Sequence, residues 1–361
     1  MIFSSRRRQR PAPDHPGGRS VISFAGDDWL GLGKHPAVIA AGCRAFAEHG
    51  LLPADEIALQ DLEERVAGFF GREAAVLLGH GTSAGGLLVK MAGRASAVFV
   101  DEFATTRMKD AALMAGVPVH SFRSCDAEDL QERISNLLPA KGMPLVLSDG
   151  IIPATGIVPP LDAYLRVLTA RASGVLIVDD GVGPGALGTF GRGALEELGI
   201  EERANRPWHG SGVAVFASSG LPGIGSLVCG SQEFTGHAKA RLAGEVRQQP
   251  AAVIAAMAKA LEIAATELDP ARAALLANIT RLRQGITQLG LDLPAIPAPF
   301  FGLPIGTAAN MARIHRELLA AGLLVPVLPA PGEGEVLRFA VTSKHTHGMI
   351  DELLRAMCVI L

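Results

Sequence analysis

Short apolar runs alternate with helical patterns along most of the chain, beginning at about residue 74. This alternation is typical of a mainly parallel β-sheet with helices on both faces, because strands buried on both sides are apolar throughout. The pattern predicts an α/β protein with a seven-stranded sheet in one large domain over residues 51–250, preceded by an N-terminal tail and segment over 1–50. The predicted strands are AAVLL (74–78), SAVFV (96–100), GVPVHSF (116–122), MPLVLS (143–148), GVLIVDD (174–180), VAVFAS (213–218) and SLVCGS (226–231).

The pattern changes after Pro250, where a long Ala-rich helical stretch begins and a helix-rich region continues to about Leu289. A Pro-rich link, LPAIPAPFFGLP, follows it. Residues 251–361 are therefore predicted to form a linking helix and a small C-terminal α+β domain. Its expected elements are a helix over 308–321, a strand over 323–328, a strand over 335–341 and a helix over 347–359.

The composition is that of a soluble globular protein, with 48% hydrophobic and 19% charged residues. A formal net charge of -3 provides no global basic field that would attract nucleic acid or an anionic membrane surface. No apolar run reaches the length of a membrane helix, and the basic N-terminus lacks the apolar core of a secretory signal. We expect a cytoplasmic protein, because the four cysteines are widely scattered and show neither zinc-site nor disulfide spacing: Cys43, Cys125, Cys229 and Cys358.

Ligands of an open α/β sheet gather beyond the C-terminal ends of the strands, so the residues after each apolar run are candidates for binding. The first strand runs into GHGTSAGG, where His80, Gly81 and Thr82 precede a helix. Free backbone N–H groups at a helix start favour a phosphate. The alternative is an ordinary strand-to-helix turn in which Thr82 is the N-cap.

The same stretch imitates a dinucleotide-binding fingerprint. Its glycines are Gly79, Gly81 and Gly85, and Asp101 ends the next strand about twenty residues later. A nicotinamide-binding enzyme is therefore an alternative hypothesis, although short glycine motifs produce many false matches.

Two further strand ends carry polar side chains. Asp179 and Asp180 end a strand that is predicted to be buried on both faces, where a carboxylate needs a cation or several donors. A pyridinium nitrogen would be such a partner, and capping of the following glycine-rich loop is the alternative. Ser218 and Ser219 lie in a predicted loop after the next strand, which could face a ligand or form a plain tight turn.

In the C-terminal region, Arg338 interrupts an apolar strand within GEGEVLRFAVTSKHT. An arginine at such a position is either paired internally or presents its planar guanidinium to a carboxylate ligand. His345 and His347 lie at a helix start and are interpreted as capping or surface residues.

Read together, these segments resemble the α-oxoamine synthases, a family of pyridoxal-phosphate (PLP) enzymes with the fold-type-I architecture. The opening FAGDDWLGLGKHP is similar to the family's N-D-Y-L-G-L…H-P, and LEERVAGFFGREAAVLLGHGTSAGG to its L-E…L-A-x-F…S-G-x-x-A-N. VDDGVGPGALGTFGRG is similar to V-D-E-A-H-x-x-G-x-x-G-x-x-G-R-G, and LRFAVTSKHT to R-L-R…S-A-A-H-T. The resemblance spans almost the whole chain.

The resemblance implies a role for several residues and a departure at others. Asp179 matches the aspartate on the PLP ring nitrogen, and Arg338 matches the arginine that holds the amino-acid carboxylate. Val182 stands where the family has a histidine near the ring hydroxyl, and Thr105 where a histidine stacks on the ring. Ser219 stands at the position of the lysine that forms the Schiff base.

Loss of the lysine would remove both the covalent attachment and the base that moves the substrate's α-proton. Lys109 and Lys239 are the nearest alternatives in sequence, and neither is predicted at a strand end. The family's partner-subunit phosphate motif is replaced by GEVRQQP, where Glu245 would repel a phosphate, and its glycine-rich segment near the acyl-CoA entrance is shortened to GLLPADE.

We therefore expect no covalent PLP, while non-covalent PLP or another phosphate-bearing ligand stays open. The first hypothesis is a homologue without the family's chemistry that acts as a binding or partner subunit, in a homodimer or a heterodimer with a lysine-bearing homologue. The second is a PLP-independent transferase that processes an acyl-CoA or an amino-acid-like ligand in the same crevice, through Ser218, Ser219, Asp179 and Arg338.

Overall fold

The computed structural model describes residues 21–78, 84–93, 95–205, 212–221, 225–242, 249–330 and 334–361. The strands in chain order are β1 (Ile22–Ser23), β2 (Ala74–Leu77), β3 (Ala97–Asp101), β4 (Val119–Phe122), β5 (Pro144–Asp149), β6 (Gly174–Asp180), β7 (Val213–Leu221), β8 (Gly225–Gly230), β9 (Phe300–Leu303), β10 (Leu323–Leu324), β11 (Val327–Ala330) and β12 (Gly334–Ala340). The α-helices are α1 (Pro36–His49), α2 (Glu56–Phe69), α3 (Ala84–Ala92), α4 (Thr106–Leu113), α5 (Ala127–Leu137), α6 (Leu161–Arg171), α7 (Ala194–Glu197), α8 (Gln232–Arg241), α9 (Ala251–Gln288), α10 (Ala308–Ala320) and α11 (His347–Ile360), and a 3-10 helix spans Glu201–Asn205.

The main sheet has seven strands in the order β2-β8-β7-β6-β5-β3-β4. The five strands from β7 to β4 pair in parallel, whereas β8 runs antiparallel to both of its neighbours. Alternate residues of each strand point to opposite faces, so Val146 joins one hydrophobic cluster and Leu145 and Leu147 join the other. Helices cover both faces, which explains the unbroken apolar runs and confirms the predicted α/β fold.

A second sheet has the order β11-β12-β9, with antiparallel pairing throughout. Two of its features correct the sequence-based prediction. The Pro-rich link contains a strand, β9, all of whose residues are buried against β12. The single strand expected over 323–328 is instead divided at Pro326 into β10, which pairs with β1, and β11, which pairs with β12. Proline lacks the N–H that a continuous ladder requires.

The Ala-rich stretch forms one helix, α9, of 38 residues, which contains Pro270 and packs against α1 and α2. One hydrophobic cluster includes Val178 of the main sheet and Phe339 of the small sheet. The division into domains at residue 250 therefore stays a prediction. Among the described helices, none combines the length and the apolar character needed to cross a membrane.

Candidate functional site

The C-terminal ends of three neighbouring parallel strands form the edge of the candidate crevice. Asp149 on β5 is in register with Asp179 on β6, which is in register with Ser218 on β7. The parallel topology thus brings together residues that are far apart in sequence, as expected at the ligand edge of an α/β sheet. Asp149 was not among the predicted site residues, although it follows the run MPLVLS directly and the same strand-end rule would have identified it.

Asp179 is the partly accessible carboxylate of this edge, with 16% of its side chain exposed. Its Oδ1 accepts a hydrogen bond from the backbone N–H of Gly181 at 3.2 Å. Its Oδ2 lies 3.8 Å from Nη2 of Arg107, a residue of α4 whose side chain is 77% exposed. Arg107 stands two residues after Thr105, so the chain itself supplies a cation at this strand end.

Asp180 has a different role from that of its neighbour. It is only 1% exposed and accepts a hydrogen bond from the N–H of Ala194 at 2.7 Å. A Cβ at Gly183 or at Gly193 would lie 2.1 Å from its carboxylate oxygens. The glycine-rich loop therefore encloses Asp180, so the capping alternative describes this residue. Burial raises the pKa of Asp180 to about 7.

Thr105, which the sequence resemblance aligns with the family's stacking histidine, forms hydrogen bonds at the edge of the sheet. Its backbone N–H donates to Oδ2 of Asp149 at 2.7 Å, and its hydroxyl donates to Oδ1 at 3.0 Å. The same hydroxyl caps α4 by accepting from the N–H of Met108. Burial, followed by the charge of Asp179, raises the pKa of Asp149 to about 7 despite these hydrogen bonds.

Val182, which the sequence resemblance aligns with the family's other histidine, makes its polar contact through the backbone. Its carbonyl accepts the indole N–H of Trp29 at 2.9 Å. Trp29 is fully buried and stacks on Phe300 of β9, with ring centres 5.3 Å apart. The N-terminal segment around Trp29 thus joins the end of β6 to the small sheet.

Ser218 and Ser219 lie in strand β7 and not in the predicted loop. Ser219 is in register with Asp180 on one side and with Leu227 of β8 on the other. The strand continues to Leu221 because β8 provides an antiparallel partner for these residues. Ser219, which the sequence resemblance aligns with the family's lysine, is therefore a residue of a strand that is paired on both sides.

The two lysines considered as replacements are engaged elsewhere. Lys109 donates from Nζ to the carbonyl of Glu102 at 2.8 Å. Nζ of Lys239 lies 2.7 Å from Oε2 of the buried Glu63. In the parts of the chain that the structure describes, no lysine directly follows the end of a main-sheet strand; the lysines are Lys34, Lys90, Lys109, Lys141, Lys239, Lys259 and Lys344.

Arg338 on β12 is paired internally, which is one of the two arrangements expected from the sequence. Its side chain is 7% exposed, and Nη2 donates to Oδ1 of Asp27 at 2.7 Å. Nε donates to the carbonyl of Pro153 at 2.9 Å. The guanidinium carbon lies 4.2 Å from the ring centre of Phe300, close enough for a cation–π interaction. Asp27 was not predicted, although it belongs to the FAGDDWLGLG motif.

His345 has a packing role and not the capping or surface role expected from the sequence, since Thr346 is the N-cap of α11. Thr342 donates its backbone N–H to Nδ1 of His345 at 3.0 Å, Nε2 lies 3.0 Å from the carbonyl of Ser23, and the ring stacks on Phe24. Burial lowers the pKa of His345. His347 is the first residue of α11, directly after the N-cap Thr346.

The geometry counts against the nicotinamide hypothesis. Asp101 is fully buried and bonded to the hydroxyl of Tyr164 at 3.3 Å and to the N–H of Phe103 at 2.9 Å, so its carboxylate does not face a ligand. Gly85 is buried in α3. The remaining candidates of this region and of the phosphate motif lie outside the described residues: Gly79, His80, Gly81, Thr82 and Glu245.

Together, the sheet order, the strand-end aspartate and the small second sheet define the class of the protein as that of the fold-type-I PLP-dependent transferases. The family model for aminotransferase class I and II matches residues 19–357. The chain is 33% identical to 8-amino-7-oxononanoate synthase of Thioalkalivibrio sulfidiphilus, with 99% of this chain and 93% of the relative covered. It is also 33% identical to a putative 8-amino-7-oxononanoate synthase of Phenylobacterium zucineum, with 98% and 93% covered.

Solved structures show the same fold. Serine palmitoyltransferase of Sphingomonas wittichii aligns with a TM-score of 0.81 at 22% identity, with 95% of this chain and 88% of that chain covered. 8-Amino-7-oxononanoate synthase of Francisella tularensis aligns with a TM-score of 0.76 at 20% identity, with 94% and 97% covered. The chain belongs to the aminotransferase class I and II family and, within it, to the α-oxoamine synthases.

Proposed function

We propose that this protein is an α-oxoamine synthase homologue that has lost covalent PLP chemistry and acts as a dimeric binding or partner subunit. The proposal rests on Ser219, which the sequence resemblance aligns with the family's lysine and which lies within the paired strand β7. A serine hydroxyl has no amine with which to form a Schiff base, and it is no substitute for the lysine as a base for the substrate's α-proton.

The surrounding residues fit a covalently held PLP poorly. Of the residues aligned with the family's contacts to the PLP ring, Asp179 alone has the same side chain as the family. It already has Arg107 as a cationic neighbour at 3.8 Å. Thr105 offers no aromatic face and is bonded to Asp149. Val182 has no polar side chain, and its carbonyl is engaged by Trp29. The proposal therefore includes at most a non-covalent PLP or another phosphate-bearing ligand.

A surface of exposed apolar side chains supports the partner role. Residues 39–57, at α1 and the start of α2, expose more than half of several large hydrophobic side chains. Such a cluster is costly in water and favours a covering protein surface. The partner is a second copy or a lysine-bearing homologue, and the cluster consists of Ile39 (53%), Phe46 (53%), Leu51 (79%), Leu52 (67%) and Ile57 (81%).

The deciding experiment is the absorbance spectrum of the purified protein with added PLP, before and after borohydride reduction, followed by peptide mass spectrometry. We expect no lysine peptide to carry reduced PLP. The matched positive control is S219K, which returns an amine to the family's position. A PLP adduct on a native lysine of the wild-type protein would disprove the proposal.

The partner role is tested by measuring molecular mass in solution, alone and after co-expression with a lysine-bearing homologue. I57D is expected to dissociate the dimer, because a charge would replace an 81% exposed isoleucine within the apolar cluster. V359D is the matched control, since Val359 is 86% exposed on α11, outside that cluster. A monomer in both experiments would contradict the partner role. Binding of acyl-CoA by a homodimer would instead favour the PLP-independent transferase.

A further inference from the structure

Arg338 is a buried cation beside the segment that follows β5, and each of its side-chain nitrogen atoms has an acceptor within the chain. Nε bonds to the carbonyl of Pro153 at 2.9 Å, and Nη1 lies 3.5 Å from the carbonyl of Gly26. Nη2 bonds to the carboxylate of Asp27 at 2.7 Å. One face of the guanidinium is covered by Phe300. A carboxylate ligand that binds side-on through Nε would have to replace the Pro153 carbonyl.

Asp27 is held in place by its neighbours in sequence. Phe24 and Trp29, on either side of it, are fully buried. The N–H of Phe24 donates to Leu324 and the N–H of Ala340 donates to Phe24, at 2.9 Å each. Trp29 is fixed through its indole N–H. The position of Asp27 is therefore set by the core beneath it, although 59% of its own side chain is exposed.

The adjacent Asp28 has a separate, local function. Its Oδ2 accepts the N–H of Gly33 at 3.1 Å, which closes the turn that leads into α1. Turn formation therefore accounts for Asp28 and not for Asp27, whose side-chain contact is with a residue 311 positions away. Asp27 is therefore the exposed partner of the buried guanidinium of Arg338.

The geometry points to Asp27 as a specificity-determining residue: its carboxylate is a built-in ligand of Arg338, so the crevice discriminates against carboxylate ligands and favours neutral or cationic amines and amides at this point. The inference rests on the proposed function, because it assumes that the crevice still binds a small ligand. Its physical basis is charge. One guanidinium neutralises one carboxylate, and a second carboxylate beside Asp27 would meet electrostatic repulsion.

The test is a binding titration with L-alanine and L-alaninamide, which differ in whether the terminal group is a carboxylate or an amide. Fluorescence of Trp29, whose ring centre lies 5.9 Å from the guanidinium carbon of Arg338, reports binding in a W208F background. No PLP is added, so the result is independent of the test for covalent PLP. We expect D27N and D27A to bind L-alanine at least about tenfold more tightly than the parent, with little change for L-alaninamide.

D351N is the matched control, because Asp351 on α11 forms a bidentate pair with Arg281 on α9 at 2.7–2.8 Å. This substitution is expected to leave both affinities unchanged. Thermal unfolding of each variant establishes that it is folded. If D27N is not folded, the comparison is made with D27A. The inference is overturned if the parent binds L-alanine as tightly as the Asp27 variants do. It is equally overturned if neither folded variant gains affinity for L-alanine.

Discussion

Two arginine–aspartate pairs among the candidate site residues differ in length and in which partner is exposed. The pair of Arg107 and Asp179 at the main sheet is long, at 3.8 Å, and its arginine is 77% exposed. The pair of Arg338 and Asp27 beside the small sheet is short, at 2.7 Å, and its arginine is 7% exposed. In the pair at the main sheet the aspartate is the less exposed side chain, whereas in the pair at the small sheet the arginine is the less exposed one.

This difference determines what each pair contributes. Exposed ion pairs add little to stability, because water solvates both partners and salt screens them. A buried guanidinium must keep all its acceptors, since an unpaired charge away from water is costly. We therefore interpret the Arg107 pair as readily displaced and the Arg338 pair as part of the structure. The following four predictions can break or sharpen this contrast, in order of decreasing effect.

R338A is expected to lower the free energy of unfolding by about 2–4 kcal/mol, because it removes the hydrogen bonds to Pro153 and Asp27 and the packing on Phe300. Urea denaturation measures the change. R338K keeps the charge but not the planar geometry, so its free energy of unfolding should lie between those of R338A and the wild type. A loss below about 0.5 kcal/mol for R338A would show that the pair is not structural.

D149N is expected to become more stable relative to the wild type as pH rises. The pKa of Asp149 in the folded protein is about 7, above its ordinary value of 3.8, so the folded state holds a proton that the unfolded chain releases earlier. The stability contributed by this group is present below about pH 4 and is lost as pH rises towards 7. We expect the difference in unfolding free energy between variant and wild type to change by roughly 2 kcal/mol between pH 5 and pH 8.

Urea denaturation at several pH values measures this difference. Asp180, whose pKa is also raised, is present in both proteins, so its contribution cancels. A difference independent of pH would mean that Asp149 is charged in the folded state.

D27N is expected to lower the free energy of unfolding by about 1 kcal/mol, because a neutral amide replaces a charge-assisted partner of Arg338. Thermal and urea unfolding measure the loss, with D351N as the exposed control, for which a smaller loss is expected. An equal effect in the two variants would remove the distinction between the buried and the exposed arginine.

R107A is expected to change the free energy of unfolding by less than about 0.5 kcal/mol, since the pair with Asp179 is long and its arginine exposed. Urea denaturation at low and at high salt measures this change in the free energy of unfolding. A larger loss that salt abolishes would assign this pair a structural role.

The main sheet could be predicted well from the sequence. All seven predicted strands have counterparts in the structure, because strands such as β3 and β5 are buried along their whole length and give continuous apolar runs. The small sheet was harder. Strand β9 lies within a Pro-rich segment, and its pairing with β12 joins Phe301 to Phe339, a contact that no local pattern encodes.

The candidate site was predictable where its residues end an apolar run or match a motif. Asp179 and Arg338 were identified in this way, and their chemical types indicated the partners that they needed. The partners themselves were not identified. Arg107 belongs to a helix and Asp27 to the N-terminal segment, so neither comes directly after a strand of the main sheet.

The sequence alone determined the fold and the family, because these depend on periodicity and on motifs that are continuous in the chain. Only the tertiary structure decided that Thr105 is bonded to Asp149, that Ser219 lies in a paired strand and that Asp27 meets Arg338 across 311 positions. The physical reason is that partners of buried charges are set by which backbone segments the core brings together, and sequence separation carries no information about that distance.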